Sequence, residues 1–272
     1  MIKSKLGNTV TVQGGVAEAQ VEQTFQGYAT RGYGLLLVDG AEMQQQAVEI
    51  AKQYPHMRVV VVNGDASAAP NLSSATYSWE QSGFLAGIAA GIATKSDKLG
   101  SVGSIKIPPI EGLYYGYEQG VKAVNPKATT EMTYMNTNVP DTGLSDSLTA
   151  AEISRGDDII YTQATGADPG VFRAGCQHHV LVIGYGTNEE NLGPSCTLTT
   201  QLVNYQGTMV TMATMYDQGV LKPQIYTYGF KDHAFSLAPI INVSKAIAAK
   251  IQTVAAEAEA GKFTIKTLSS TY

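Results

Sequence analysis

Residues 80–126 read EQSGFLAGIAAGIATKSDKLGSVGSIKIPPIEGLYYGYEQGVKAVNP, and this stretch decides the fold class. The first part is helical in pattern, with Gly83, Ala86, Gly87, Ala89, Ala90, Gly91 and Ala93 placing small residues on nearly every side. A helix without bulk all round approaches neighbouring backbones closely, so it belongs between layers. A turn at Asp97-Lys98-Leu99-Gly100 leads into a strand (GSVGSI), and a second helix follows over 110–126. The expectation is that the chain passes here from one α/β lobe into another. Lobe one then covers 1–97, lobe two 98–224, and 225–272 forms a crossover hairpin plus a C-terminal helix returning to lobe one.

Outward from this stretch, strand and helix alternate. Residues 10–15 (VTVQGG) read as a strand, 17–33 as a helix closed by Gly32, and 34–40 (GLLLVDG) as an apolar run of strand length. A helix over 41–55 stops at Pro55, and 57–65 (MRVVVVNGD) is a second buried strand. Past the opening stretch come strands over 128–136, 157–164, 178–185 and 195–203, with helices near 142–155, after Pro169 and over 204–219. Residues 224–240 alternate like a strand pair, and 243–260 is an alanine-rich helix closed by Gly261. Continuous β-branched strands between amphipathic helices indicate parallel sheets covered on both faces. Such sheets bind ligands beyond the carboxyl ends of their strands. Those ends are Asp39-Gly40, Asn63-Gly64-Asp65, Ser104, Asn136, 163–166 and 185–188.

Composition narrows the function. Charged residues make up 15% of the chain and the net charge is -5, which argues against nucleic acid and anionic membrane partners. No apolar run approaches the roughly 18–20 residues that span a bilayer, and Met1-Ile2-Lys3-Ser4-Lys5 leads into polar sequence without a signal-peptide core. Cys176 and Cys196 are the only cysteines; a disulfide between them requires an oxidising compartment. A zinc site from Cys176, His178 and His179 fits worse, because adjacent strand residues point to opposite faces. No metal or cofactor is expected.

Several segments in order carry a resemblance. Glu80-Gln81-Ser82-Gly83-Phe84-Leu85-Ala86-Gly87, then 98–103 (KLGSVG), then Glu111-Gly112, Gly116-Tyr117 and 120–126 (GVKAVNP) are followed by Gly170-Val171-Phe172, Val182-Ile183-Gly184 and Tyr228-Gly229-Phe230-Lys231-Asp232. Over roughly residues 10–265 the chain resembles the basic membrane protein family, the PnrA-like nucleoside-binding lipoproteins that serve as substrate-binding proteins of ABC transporters. The resemblance implies a type I periplasmic-binding-protein fold of two doubly wound parallel-sheet lobes. It also implies an extracytoplasmic location, an ABC permease as partner, and a small nucleoside-like ligand in the cleft between the lobes.

The family's residues carry over one position at a time. The aromatic that stacks on the base corresponds to Phe172, and the lysine on the sugar hydroxyls to Lys231. The plainer alternatives are a Phe172 that packs the start of its helix and a Lys231 solvated in a hairpin. Gly184 lets backbone approach the ligand. Asn63 and Gln206 stand where the family has Asp, and Asn188 lies in the loop that normally holds one. An amide both donates and accepts, so the exchange weakens the grip on ribose or changes the ligand. The family opens with a strand and helix, and the expectation is that this sequence begins at the second strand, residues 1–8 not supplying the first unit, as in a fragment, a misassigned start or a repacked first lobe.

Two other classes compete. Asp232-His233 suggests acid–base chemistry of an esterase or lactonase type, with Ser67 and Ser104 near strand ends, yet no G-x-S-x-G occurs and adjacent strand residues diverge. A ligand sensor would use the same cleft without a transporter. Residues 184–194 (GYGTNEENLGP) match no phosphate loop, because Glu189 and Glu190 would face the phosphate. The reading taken is a binding protein without catalytic residues, its site lined by Asn63, Phe172, Gly184, Asn188, Gln206 and Lys231.

Overall fold

A computed structural model describes residues 7, 9–16 and 18–268. The chain divides into two compact units. One comprises the described residues up to Tyr77 together with Asn204–Tyr228; the other comprises Ser78–Val203 and the described residues from Gly229 onward.

The first unit is built on a four-stranded parallel sheet of order β1-β2-β3-β9, with β1 Leu35–Asp39, β2 Arg58–Val62, β3 Leu72–Tyr77 and β9 Ile225–Tyr228. Helices α1 (Glu18–Thr30) and α2 (Gln44–Gln53) share one core with it: Val21, Phe25, Tyr28, Ala47 and Ile50 pack on Leu36, Val38, Val59 and Val61. Helix α7 (Tyr205–Asp217) lies against β1 and β2. The chain leaves α1 at Gly32, whose φ of 81° lies in the left-handed region open to glycine.

The second unit holds a six-stranded sheet of order β10-β8-β7-β6-β4-β5. Its strands are β4 Lys98–Gly103, β5 Thr129–Tyr134, β6 Ile159–Gln163, β7 Leu181–Gly186, β8 Thr197–Val203 and β10 Phe235–Leu237, and only the β8–β10 pairing is antiparallel. Helix α3 (Trp79–Ala93) is buried at all but three of its fifteen positions and packs on β8, β10, α4 (Pro108–Val124) and α8 (Lys245–Glu259). Its glycines decide how close α4 comes. A Cβ on Gly83 would overlap the Leu113 carbonyl oxygen, and one on Gly87 that of Tyr117. From the other side, Cβ atoms on Gly116 and Gly120 would overlap the carbonyl oxygens of Glu80 and Phe84. Helices α5 (Thr142–Ser154) and α6 (Asp168–Gln177) close a second core on Val102, Ile160 and Val182. Cys176 and Cys196 form a disulfide beside it, at a sequence separation of 20.

Four sequence expectations change. Residues 10–15 form no strand, because an extended segment enters a ladder only where its N–H and C=O groups meet a partner's. Leu72–Tyr77, which hydropathy does not mark, is an interior strand. Residues 224–240 are not a hairpin, since β9 pairs with β3 and β10 with β8. Finally, the division does not fall at 97/98 and 224/225. Helix α3 and helix α8 belong to the second unit and α7 to the first, because each is grouped with the sheet its apolar side chains meet.

Gly116→Ala should lower the unfolding free energy by about 1–3 kcal/mol, since backbone must shift to admit a methyl group. Gly27→Ala in α1, where a Cβ would meet nothing within 4 Å, should leave stability unchanged or raise it by about 0.5–1 kcal/mol. Urea melts of both variants test the contrast. Replacing Cys176 and Cys196 by serine should cost about 3 kcal/mol through the 20-residue loop they close, read in the same melts.

Candidate functional site

The polar side chains of interest gather at the carboxyl ends of the parallel strands, and each unit presents its own set. In the first unit, β1 ends at Asp39, β2 runs into Asn63, and β3 and β9 end side by side at Tyr77 and Tyr228. Asn63 has a φ of 66°, a conformation asparagine tolerates better than most residues, and its backbone N–H donates to the Ala75 carbonyl at 2.7 Å. That anchors the main chain and leaves the side-chain amide without a partner among the described residues. Gln206 is exposed in the first turn of α7, next to the helix cap in which Asn204 Oδ1 accepts from Gly207 N–H at 2.9 Å.

In the second unit the expected residues fare differently. Phe172 is 0% exposed: its ring lies among Val102, Ile160, Val171, Val182 and Cys196, and Gly193 of the β7–β8 loop sits over it. A ring with no free face stacks on nothing, so the expectation of Phe172 as the base-stacking wall is corrected to a core residue. The sequence signal was ambiguous because the same apolar residue in the first turns of a helix serves either purpose.

Gly184 is also reassigned. A Cβ there would come within 2.7 Å of Glu189 Oε2 and 2.8 Å of Thr200 Oγ1, so its missing side chain makes room for Glu189 and not for a ligand. Glu189 folds back over β7, its Oε2 accepting from Tyr185 N–H at 3.0 Å and its own N–H donating to Thr200 Oγ1 at 3.2 Å. Burial pushes the Glu189 carboxyl up from 4.5 to about 8; the negative charge of Asp168 adds to this, and the Tyr185 N–H opposes it. Asn188 is exposed and uses its Oδ1 to accept from Glu190 N–H at 3.2 Å, which starts the short turn Glu190–Leu192. Cys176, held in the disulfide, has no thiolate to offer zinc.

Lys231 is exposed in the short helical turn Phe230–Asp232. The turn is fixed on both sides, with Asp232 Oδ2 accepting from Gly229 N–H at 2.9 Å and Gln81 Oε1 accepting from Phe230 N–H at 2.8 Å. Asp232 is thus spent on backbone. The Lys231 ammonium has no hydrogen bond or ion pair among the described residues.

With this geometry in view, comparison with known proteins supplies the family. Residues 2–266 match the family described as ABC transporter substrate-binding protein PnrA-like. The chain belongs to it. It is 31% identical over 171 residues to the ABC transporter nucleoside-binding protein BmpA of Lactococcus lactis, an alignment covering 60% of this chain and 48% of that protein. It is 26% identical over 227 residues to the transcriptional activator protein med of Bacillus subtilis, covering 81% of this chain and 68% of that one. The chain spans about half the length of BmpA, and 39% of the next curated relatives, the CD4+ T-cell-stimulating antigens of Listeria.

Solved structures agree on the fold. An ABC transporter solute-binding protein from Conexibacter woesei superposes with a TM-score of 0.78 at 21% identity, covering 97% of this chain and 90% of that one. A transcriptional activator of the comK gene from Bacillus halodurans superposes with 0.86, also at 21% identity, covering 97% and 92%. The fold is therefore that of periplasmic-binding-protein-like solute-binding proteins. No helix among the described residues is long and apolar enough to cross a membrane.

Glu189 yields a pH prediction. Its folded pKa is raised, so the stability linked to it is complete below about 4.5 and is lost as pH rises to about 8. Glu189→Gln keeps the shape without the charge. The difference in melting temperature between variant and wild type should grow in the variant's favour from pH 5 to pH 8 and then level off. Asp157, pushed up by burial to about 7, and Glu259, also raised by burial, are common to both proteins and cancel. A difference that is flat with pH would show that Glu189 is already ionised.

Proposed function

We propose that this chain is the ligand-binding component of an ABC transporter and takes a nucleoside or similar small polar ring compound outside the cytoplasm. The observation that carries this reading is unspent hydrogen-bonding capacity at strand ends. Asp39, Asn63 and Gln206 in one unit and the Lys231 ammonium in the other lack side-chain partners among the described residues, in a chain whose family is substrate-binding. The carboxylate and amide groups of the first unit suit a neutral ligand rich in hydroxyl and ring N–H groups, and the ammonium of the second suits a hydroxyl oxygen, each taken by itself. The nucleoside class follows the name of the Lactococcus relative.

The disulfide supports the compartment. Cys176 and Cys196 persist bonded where thiols are not kept reduced, which fits a protein that works outside the cytoplasm. A permease is then the macromolecular partner, and the acidic balance of the chain speaks against nucleic acid. A second reading, a sensor without a transporter, draws on the two relatives named as transcriptional activators. The disulfide favours the first. An esterase-type activity at Asp232-His233 has less support, since the Asp232 carboxylate holds the Gly229 N–H and does not orient the imidazole.

Calorimetric titration against a panel of purine and pyrimidine nucleosides tests the proposal. Binding is expected, and Lys231→Ala should weaken it by about 10-fold or more, the scale of a charge-assisted hydrogen bond. If no member of the panel binds, the nucleoside reading is discarded. Ligand-dependent stimulation of ATP hydrolysis by a permease complex encoded beside this chain separates transport from sensing.

A further inference from the structure

The turn between α5 and β6 brings together two buried carboxyls that the candidate site does not use. Glu152, in the last turn of α5, is 0% exposed, and Asp157, which leads into β6, is 6% exposed. Gly100 of β4 makes room for both. A Cβ there would come within 2.9 Å of Asp157 Oδ2 and 3.2 Å of the Glu152 Cβ. The two side chains are unequally served. Thr133 Oγ1 donates to Glu152 Oε1, and the Arg155 guanidinium pairs with Glu152 Oε2. Asp157 Oδ2 is enclosed, and no donor among the described residues reaches it.

A buried acceptor without a donor is costly, and costlier when it carries charge. The remedy lies on the side chain itself, because a protonated carboxyl is a donor and Glu152 stands within hydrogen-bond reach. Burial first, then the hydrogen bond to Glu152 and the Glu152 charge, push Asp157 from 3.8 to about 7, against the pull of Arg155. The surrounding charges leave nothing else to neutralise it. Glu131 of β5 takes Arg155 Nε at 3.2 Å, and the Lys98 ammonium of β4 donates to the Arg155 carbonyl at 3.0 Å. Asp158 is spent on the N–H groups of Lys95 and Ser96, and the Tyr117 phenol of α4, raised by burial, adds no charge. No group of three or more ligating side chains among the described residues could bring a metal ion here.

We propose that Asp157 and Glu152 form a proton-held latch, in which one proton carried by Asp157 and donated to Glu152 clamps the α5–β6 turn over β4 and is released as the medium turns alkaline. Once it is lost, Glu131, Glu152 and Asp157 all face the single guanidinium of Arg155. A cavity of about 290 Å3, lined in part by Glu131, Arg155 and Asp157, lies beside the pair and gives the proton its path to solvent. The latch sits at the amino ends of β4 and β6, where Leu99 pairs with Ile159, and so acts apart from the groups at the carboxyl ends. The folded group keeps its proton to higher pH than the unfolded one. The stability it lends is therefore whole below about 3.8 and lost as pH rises to about 7.

Carboxyl-carbon NMR of the full chain with labelled aspartates reads the proton directly, and Asp157→Asn identifies the Asp157 signal by its loss. That signal should titrate near pH 7 instead of near 3.8. Glu152→Gln, which removes the charge of the acceptor, should lower the midpoint. Melting curves add a second readout. Asp157→Asn supplies an amide N–H that never leaves, so its melting temperature relative to wild type should climb by about 2–4 °C from pH 4 to pH 7 and then level off. Asp157→Ala has no donor, so its deficit against wild type should be largest at pH 4 and shrink as pH rises. An Asp157 signal that titrates near 3.8 would overturn the latch. A midpoint near 7 that Glu152→Gln leaves in place would overturn it too, since burial alone would then hold the proton.

Discussion

Helices α3 and α4 meet backbone to backbone, and the second unit is arranged around that contact. Gly83 and Gly87 on one helix and Gly116 and Gly120 on the other recur one turn apart, so each places an empty Cα against a carbonyl of its neighbour. Interior glycine costs a helix about 1 kcal/mol each relative to alanine. The arrangement persists because close approach brings many atoms of both helices into van der Waals range and aligns Cα–H groups with carbonyl oxygens. Bulk is displaced to the flanks, where Phe84, Leu85, Ile88, Leu113, Tyr117 and Val121 are buried. With α3 thinned in this way, α3 and α4 lie close beside each other against the sheet, where Tyr117 of α4 meets Tyr161 of β6, and α8 packs on α3.

A rigid layer beneath the sheet fixes the heights of its strand ends. From these ends come loops whose short hydrogen bonds define their shape: Glu189 onto β7, Asn188 onto the turn after it, and Asp232 and Gln81 onto the turn that carries Lys231. The disulfide adds a covalent tie where Gly193 passes over Phe172. Polar side chains in these loops fall into two groups. Those that satisfy backbone, such as Asn188, Glu189 and Asp232, build the frame. Lys231 has nothing to satisfy among the described residues, as Asn63 has in the first unit, so their hydrogen-bonding capacity stays unspent.

This division explains what the sequence reveals and what it hides. Strands Leu35–Asp39, Arg58–Val62 and Leu181–Gly186 are legible because parallel strands buried on both faces must be apolar throughout. Leu72–Tyr77 escapes notice because Ser73 and Ser74 break the run, and only in the fold do their hydroxyls find the carbonyls of Lys222 and Ala66, at 2.9 and 2.6 Å. The passage between units is hidden for a similar reason. The buried character of α3 is plain in its glycines and alanines, but which sheet buries it depends on β8 and β10, which come far later in the chain. At the candidate site, position at a strand end is legible, and side-chain direction is not. Phe172 turns inward and Gly184 serves Glu189, and neither fact has a local signature.

The tyrosines make the same point from the other side. Fifteen tyrosines in the chain have no visible pattern, and ordinary packing accounts for most of them. Parallel pairing of β3 with β9 places Tyr77 and Tyr228 in register although they lie far apart in sequence, and the N-terminus of α7 then brings Tyr205 to the same edge. The carboxyl edge of a parallel sheet collects whatever residue each strand ends on. Which residues meet at that edge is therefore readable only after the strand order β1-β2-β3-β9 is known.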